Sequence, residues 1–180
     1  MSILGVAFLN EIVNKTVIVR ANEILNQLRG QIIKSLHQTG KSDEAKDGME
    51  IALCVLDFNK KKLQFSGAFR PMYLIRNGDL KEISGDNMPI GIYEEEESSF
   101  SAREIIFEEN DLIYLFTDGF PDQMGGVNRK TFKSQNFRNL ILDNHKLSLE
   151  EQKIALEKAF EEWKGNNEQV DDILIMGIRF

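Results

Sequence analysis

The chain is short of the residues that most folds use for covalent or soft-metal chemistry. It has one cysteine and two histidines in 180 residues. A single thiol, Cys54, forms no internal disulfide; it sits inside an apolar stretch and reads as a small hydrophobe suited to a reducing cytoplasm. Histidine is equally sparse. His37 falls near the end of a helical pattern, where a cation is favoured, and His145 falls in a connection, so neither reads as a metal ligand. Basic charge is also short: 22 Lys and Arg against 29 Asp and Glu leave a net charge of -7. That balance argues against a nucleic-acid partner, which calls for a basic face. No apolar run reaches membrane-spanning length, and the N-terminus has no basic lead-in of a signal peptide. Internal repeats and low-complexity tracts are missing as well. What remains is 42% hydrophobic and 28% charged, enough for a sizeable core, and the length suits one domain spanning residues 1–180.

The chain is best ordered around Asp111 to Phe120. Leu112, Ile113, Tyr114, Leu115 and Phe116 form an apolar run of strand-favouring types, too short for a helix and suited to a strand buried on both faces. It ends at Thr117-Asp118-Gly119. Asp-Gly is a common turn pair, and that reading stands beside a second one. Near the C-terminus, Gln169-Val170-Asp171-Asp172 precedes another apolar run from Ile173. If the two runs are antiparallel neighbours, Asp118 and Asp171 lie at one end of a sheet. Carboxylates gathered there repel each other unless a cation lies between them. Oxygen ligands without nearby Cys or His favour Mg²⁺, Mn²⁺ or Ca²⁺ over zinc or copper.

In chain order, Ile3, Leu4, Ala7, Phe8 and Val13 give a first helical stripe. Ala21, Ile24, Leu25, Leu28, Ile32 and Leu36 give a second, predicting a helix from about Val17 to His37. Thr39 to Gly48 reads as a loop. Met49 to Phe58, Leu63 to Ala68, Met72 to Arg76 and Asp79 to Ile83 read as strands of an antiparallel meander, with Asn77-Gly78 a two-residue hairpin turn. Glu94 to Glu97 reads as a solvated loop face, Phe100 to Phe107 as a strand, and Phe120 to Gly126 as a glycine-bearing loop. Phe132, Phe137, Leu140 and Ile141 suggest a helix. Ser148 and Glu151 form a capping box that opens another through Trp163, closed by Lys164-Gly165. Helices, strands, helices and a last strand make an α+β layer architecture with a mainly antiparallel sheet.

These residues carry a resemblance. Asp47-Gly48-Met49, Phe65-Ser66-Gly67-Ala68 with Pro71, and Met88-Pro89-Ile90-Gly91 belong to it. So do Phe116-Thr117-Asp118-Gly119, Trp163-Lys164-Gly165 and Gln169-Val170-Asp171-Asp172. In order and spacing, over nearly the whole chain, the sequence resembles the PPM-type metal-dependent serine/threonine phosphatases, in the bacterial branch of stage II sporulation protein E and the RsbU-like regulators. The resemblance implies an α-β-β-α sandwich of two antiparallel sheets flanked by helices, with two Mn²⁺ or Mg²⁺ ions at one sheet edge. It implies that Asp118 and Asp171 are metal ligands and catalytic, with Gly119 and Asp172 in support. Phe69-Arg70 before Pro71 departs from the asparagines that many relatives carry near the substrate groove; Arg70 and Asp122 are the substrate-groove candidates.

The relatives also carry an early Gly-Asp-Phe motif and an Asp-x-x-Gly-His-Gly motif, which supply the other metal ligands. Neither occurs here, and Met1 to Gly5 resembles the segment after the second motif. The expectation is therefore a domain lacking its N-terminal strands, part of a larger sensor protein in the cytoplasm. Its substrate class is phosphoserine or phosphothreonine on a signalling protein such as an anti-anti-sigma-type regulator. Little turnover is expected from the chain alone, and a homodimer through uncovered strands. Two alternatives accompany this reading: a non-catalytic module that binds a signalling partner, and a site completed in trans by another chain.

Overall fold

A computed structural model describes residues 2–15, 20–39, 48–93 and 99–180. The chain divides into two compact units, residues 1–72 with 83–107, and residues 73–82 with 108–180.

The first unit opens with helices α1 (Ser2–Lys15) and α2 (Ala21–Ser35). The helical periodicity of α2 is matched by its burial: Ala21, Ile24, Leu25, Leu28 and Ile32 are all buried. Ile24, Leu25, Leu28 and Ile32 pack with Ile12, Ala68, Met88, Ile90 and Phe100 into one core, edged by Ile51, Leu53 and Val55. Those edging residues belong to β1 (Ile51–Asp57), which pairs with β2 (Lys62–Ala68); a strand after the next hairpin, β5 (Arg103–Ile106), completes an antiparallel sheet in the order β1-β2-β5. Buried Arg29 reaches from α2 to donate through Nε to the Gly91 carbonyl at 2.9 Å. Asn26 accepts from the Phe100 amide at 2.9 Å. Both bonds tie the stretch around β5 to the helix rather than leaving buried polar groups unpaired. Cys54 on β1 is half-buried, with its thiol facing the Met72 sulfur at 3.6 Å.

The second unit is built on β3 (Met72–Arg76), β4 (Asp79–Ile83), β6 (Leu112–Phe116) and β9 (Ile175–Arg179), ordered β4-β3-β6-β9. Asn77 and Gly78 both have positive φ, 53° and 84°, as a tight two-residue hairpin between right-twisted strands requires. Helices α4 (Ser134–Asn144) and α5 (Leu149–Lys164) cover this sheet with an aromatic core of Tyr73, Tyr114, Phe116, Phe120, Phe137 and Phe160. The Phe137 ring lies 5.0 Å from Phe116 and 5.1 Å from Phe120. At such spacings aromatic pairs add about 0.5–1.5 kcal/mol beyond simple burial. The Ser148–Glu151 capping box that opens α5 is complete, and Gly165 caps its far end with φ 54°.

Four expectations are corrected. The strands from Met49 to Ile83 are not one meander, because β2 and β3 belong to different sheets. The backbone leaves the first sheet at Phe69, whose φ is 58°, before β3 begins. Residues after Asp118 are not a plain loop. They form a short helix, α3 (Gly119–Asp122), and a two-stranded ribbon of β7 (Met124–Gly125) and β8 (Lys130–Thr131). The last strand starts at Ile175 rather than Ile173, and the strand read from Phe100 to Phe107 is confined to Arg103–Ile106. Asp47 and Glu94 to Glu97 lie outside the described residues.

Candidate functional site

The register of β6 against β9 decides where the acids fall. The strands are antiparallel, and Phe116 faces Ile175. The end of β6 and the approach to β9 therefore share one end of the sheet, with Asp118 on one segment and Asp171 and Asp172 on the other. Beyond the last strand pair, Thr117 extends the ladder. Its amide donates to the Leu174 carbonyl at 3.0 Å. Its hydroxyl accepts from the Leu174 amide at 2.9 Å and donates to the Asp172 carbonyl at 2.8 Å. One threonine side chain thus closes the ladder where regular pairing stops.

Gly119 shows why glycine follows Asp118. A Cβ there would lie 2.5 Å from the Asp172 carbonyl oxygen and 3.0 Å from its carbon. Contact between the two backbones is possible only without a side chain. The backbone that comes so close is that of the residue next to Asp171. Asp118 itself precedes α3 with φ −77° and ψ −9°, and its carbonyl accepts from the Asp122 amide at 2.9 Å. Asp118 is half-buried, whereas Asp171 and Asp172 are exposed. Asp171 Oδ1 accepts from the Asp172 amide at 2.7 Å, and the Asp171 carbonyl accepts from Gln169 Nε2 at 2.7 Å.

The remaining candidates are placed as follows. Asp122 is exposed at the last position of α3, one helical turn after Asp118. Arg70 belongs to the first unit, where its guanidinium is ion-paired with Glu50. A residue that sequence reading missed is Gln123, which is fully buried. Its Nε2 donates to the carbonyls of Met124 and Glu168 at 2.9 and 2.8 Å, and its Oε1 accepts from the Val170 amide at 3.3 Å. No local pattern marks it, since Glu168 and Val170 lie more than 40 residues downstream.

The donors gathered at this end are all oxygens, which suits in kind a hard divalent cation. Among the described residues, no group of three or more His, Cys, Asp or Glu side chains is arranged to hold a metal. The donor set therefore fits in chemistry and supplies only part of a coordination shell.

Comparisons with known proteins give one family and a set of related folds. The family model for stage II sporulation protein E (SpoIIE) matches residues 4–180. No curated protein matches the chain. The fold is similar to the SiaA-PP2C domain of Pseudomonas aeruginosa, with TM-score 0.85 and 26% identity over 99% of this chain and 68% of that one. It is similar to the PP2C phosphatase domain and regulatory-domain fragment of SpoIIE from Bacillus subtilis, with TM-score 0.70 and 16% identity over 97% and 49%. The catalytic domain of the serine/threonine phosphatase PstP, solved in complex with two manganese ions, matches with TM-score 0.57 and 17% identity over 98% and 78%. The mixed helical and antiparallel fold expected from the resemblance is thus that of PP2C phosphatase domains, and the chain spans about half to three quarters of these relatives.

Proposed function

Because the chain belongs to the stage II sporulation protein E family, we propose that it forms part of a metal-dependent phosphatase acting on phosphoserine or phosphothreonine of a regulatory protein, such as an anti-anti-sigma-type regulator, in the cytoplasm. The observation that carries this reading is the shared sheet end of Asp118, Asp171 and Asp172, set by the β6–β9 register. The manganese ions of the PstP relative support the choice of Mn²⁺ or Mg²⁺.

In this reading Asp118 and Asp171 hold the cation. When bound, such a cation neutralises phosphoryl charge and acidifies a water. The chain's own part is positional. Thr117 and Gly119 bring the Asp172 backbone against the end of β6, so the two acidic segments approach without a side chain between them. Asp172 and Gly119 act as supports. Asp122, exposed one turn away, and Arg70 are the candidates for contacting the phosphoprotein. Two carboxylates seldom retain two divalent ions, so the isolated chain binds metal weakly and turns over slowly. Any pairing of copies falls on strands left at a sheet edge.

Titration of Mn²⁺ into the chain, with phosphate release from a phosphoserine peptide, tests this. Weak binding and slow release are expected, both lost in D118N and in D171N. Binding and release unchanged in the D118N/D171N double variant would sink the assignment. A second reading, a non-catalytic interaction module, is favoured by the lack of a three-ligand cluster among the described residues. It calls for a chain that stays folded and partner-bound in excess chelator.

A further inference from the structure

We propose that Gln123 is the positioning residue that sets the Asp171-Asp172 segment against Asp118, by acting through its side chain as one link of a β-ladder. The inference rests on the proposed role of the acids, and it concerns a residue that touches neither cation nor substrate.

The geometry is that of a backbone mimic. A carboxamide offers one N–H donor and one carbonyl acceptor in a plane, the same pair that a peptide group presents to a neighbouring strand. Gln123 uses both on one segment, with Nε2 giving to the Glu168 carbonyl at 2.8 Å and Oε1 taking from the Val170 amide at 3.3 Å. Residues two apart on an extended chain present these groups on the same edge. The segment from Glu168 to Leu174 is therefore held at two points. Gln123 holds it just before Asp171, and Thr117 holds it just after, through Asp172 and Leu174. Asp171 lies between these clamps, and Asp172 is bonded within the second.

Both clamps come from the stretch that carries Asp118. Thr117 precedes it by one residue and Gln123 follows it by five, at the end of α3. The backbone of Gln123 is itself fixed. Its carbonyl accepts from Trp163 Nε1 at 2.9 Å and from the Phe132 amide at 3.0 Å, and its own amide donates to Phe120 at 3.2 Å. The side chain is fully buried, so water does not compete for its bonds. An apolar side chain of the same length would fill the volume and leave the Glu168 carbonyl and Val170 amide without this partner.

The test uses the full chain and nuclear magnetic resonance. In the wild type, the Gln123 side-chain amide protons and the Val170 amide exchange slowly with solvent. Rapid exchange of both overturns the proposal without any variant. Mn²⁺ is then titrated, with paramagnetic broadening read at Gly119 and Asp172. Gln123→Met weakens half-saturation by about tenfold or more, the usual size for losing an outer-shell partner. Trp163→Phe removes one of the two bonds to the Gln123 carbonyl but keeps the carboxamide, and weakens half-saturation far less than Gln123→Met does. Equal weakening in both variants overturns the proposal in favour of a merely structural role. Wild-type chain that shows no broadening at either residue defeats the metal reading; slow exchange at Gln123 and Val170 in that same sample still supports the ladder link.

Discussion

Gly119 and Asp172 meet backbone to backbone: a methyl group at position 119 would sit 2.5 Å from the Asp172 carbonyl oxygen. The neighbour is main chain, so it cannot rotate away. Gly119→Ala should therefore push apart the ends of β6 and β9 at an overpacking cost of about 1–3 kcal/mol. Thermal unfolding should show a lower midpoint, and the Leu174 amide should exchange faster. A variant with the wild-type midpoint and exchange rate would contradict the contact.

Asp111 anchors the other end of β6. Its carboxylate, almost wholly buried, accepts two bonds from Arg76 at 3.0 and 2.6 Å and one from the Glu108 amide at 2.8 Å. Arg76 is partly open to solvent and also pairs with Glu108 at 2.7 Å, which limits the penalty of removing Asp111. Asp111→Ala should cost about 2–3 kcal/mol, from a lost charge-assisted pair and an unsatisfied amide. Denaturant unfolding measures it; a change below about 0.5 kcal/mol, the size of an ordinary surface substitution, would count against the anchor.

The capping box of α5 gives a pH signature. Hydrogen bonds from the Ser148 side chain and then its backbone hold the Glu151 carboxyl below its usual range. A depressed acid contributes stability that is fully present above its unfolded-state value and is lost as pH falls through the lowered folded value. The Ser148→Ala variant loses the hydroxyl bond to that carboxyl, so its stability deficit should narrow as pH falls, while the cap bond from the Glu151 amide, which does not titrate, keeps the rest of the gap. Parallel stability curves down to the lowest pH at which both remain folded would refute the linkage.

Burial pushes the Cys54 thiol up to about 12. At pH 8 only about one part in ten thousand is thiolate, against roughly a quarter for a free cysteine. Native protein should resist alkylation at that pH, and denatured protein should release its single thiol at once. Equal labelling rates in the two states would show that the thiol is open to solvent.

The contrast between Gly119 and Gln123 shows what could be read in advance. The β6 run announced itself by strand-type residues over a strand's length, and the Asp-Gly pair marked its end. The second acidic segment then needed only an antiparallel partner to fall beside the first, and the register supplies it. Helices α2 and α5 were legible because periodicity and capping are local. Gln123 was not, because a buried polar residue is defined by partners distant in sequence. Helix α3 and the β7–β8 ribbon were too short to show a period. The split of the strands into two sheets depended on the turn at Phe69, a position where the residue type gives no warning of positive φ.

Trp163 is the only tryptophan in the chain. Its indole is bonded to Gln123, packed 5.4 Å from the Phe132 ring, and pressed against the backbone of Gly125. All long-wavelength fluorescence of the protein therefore originates beside the ribbon that follows α3. Emission colour, quenching by acrylamide and anisotropy give a label-free optical gauge of that one neighbourhood.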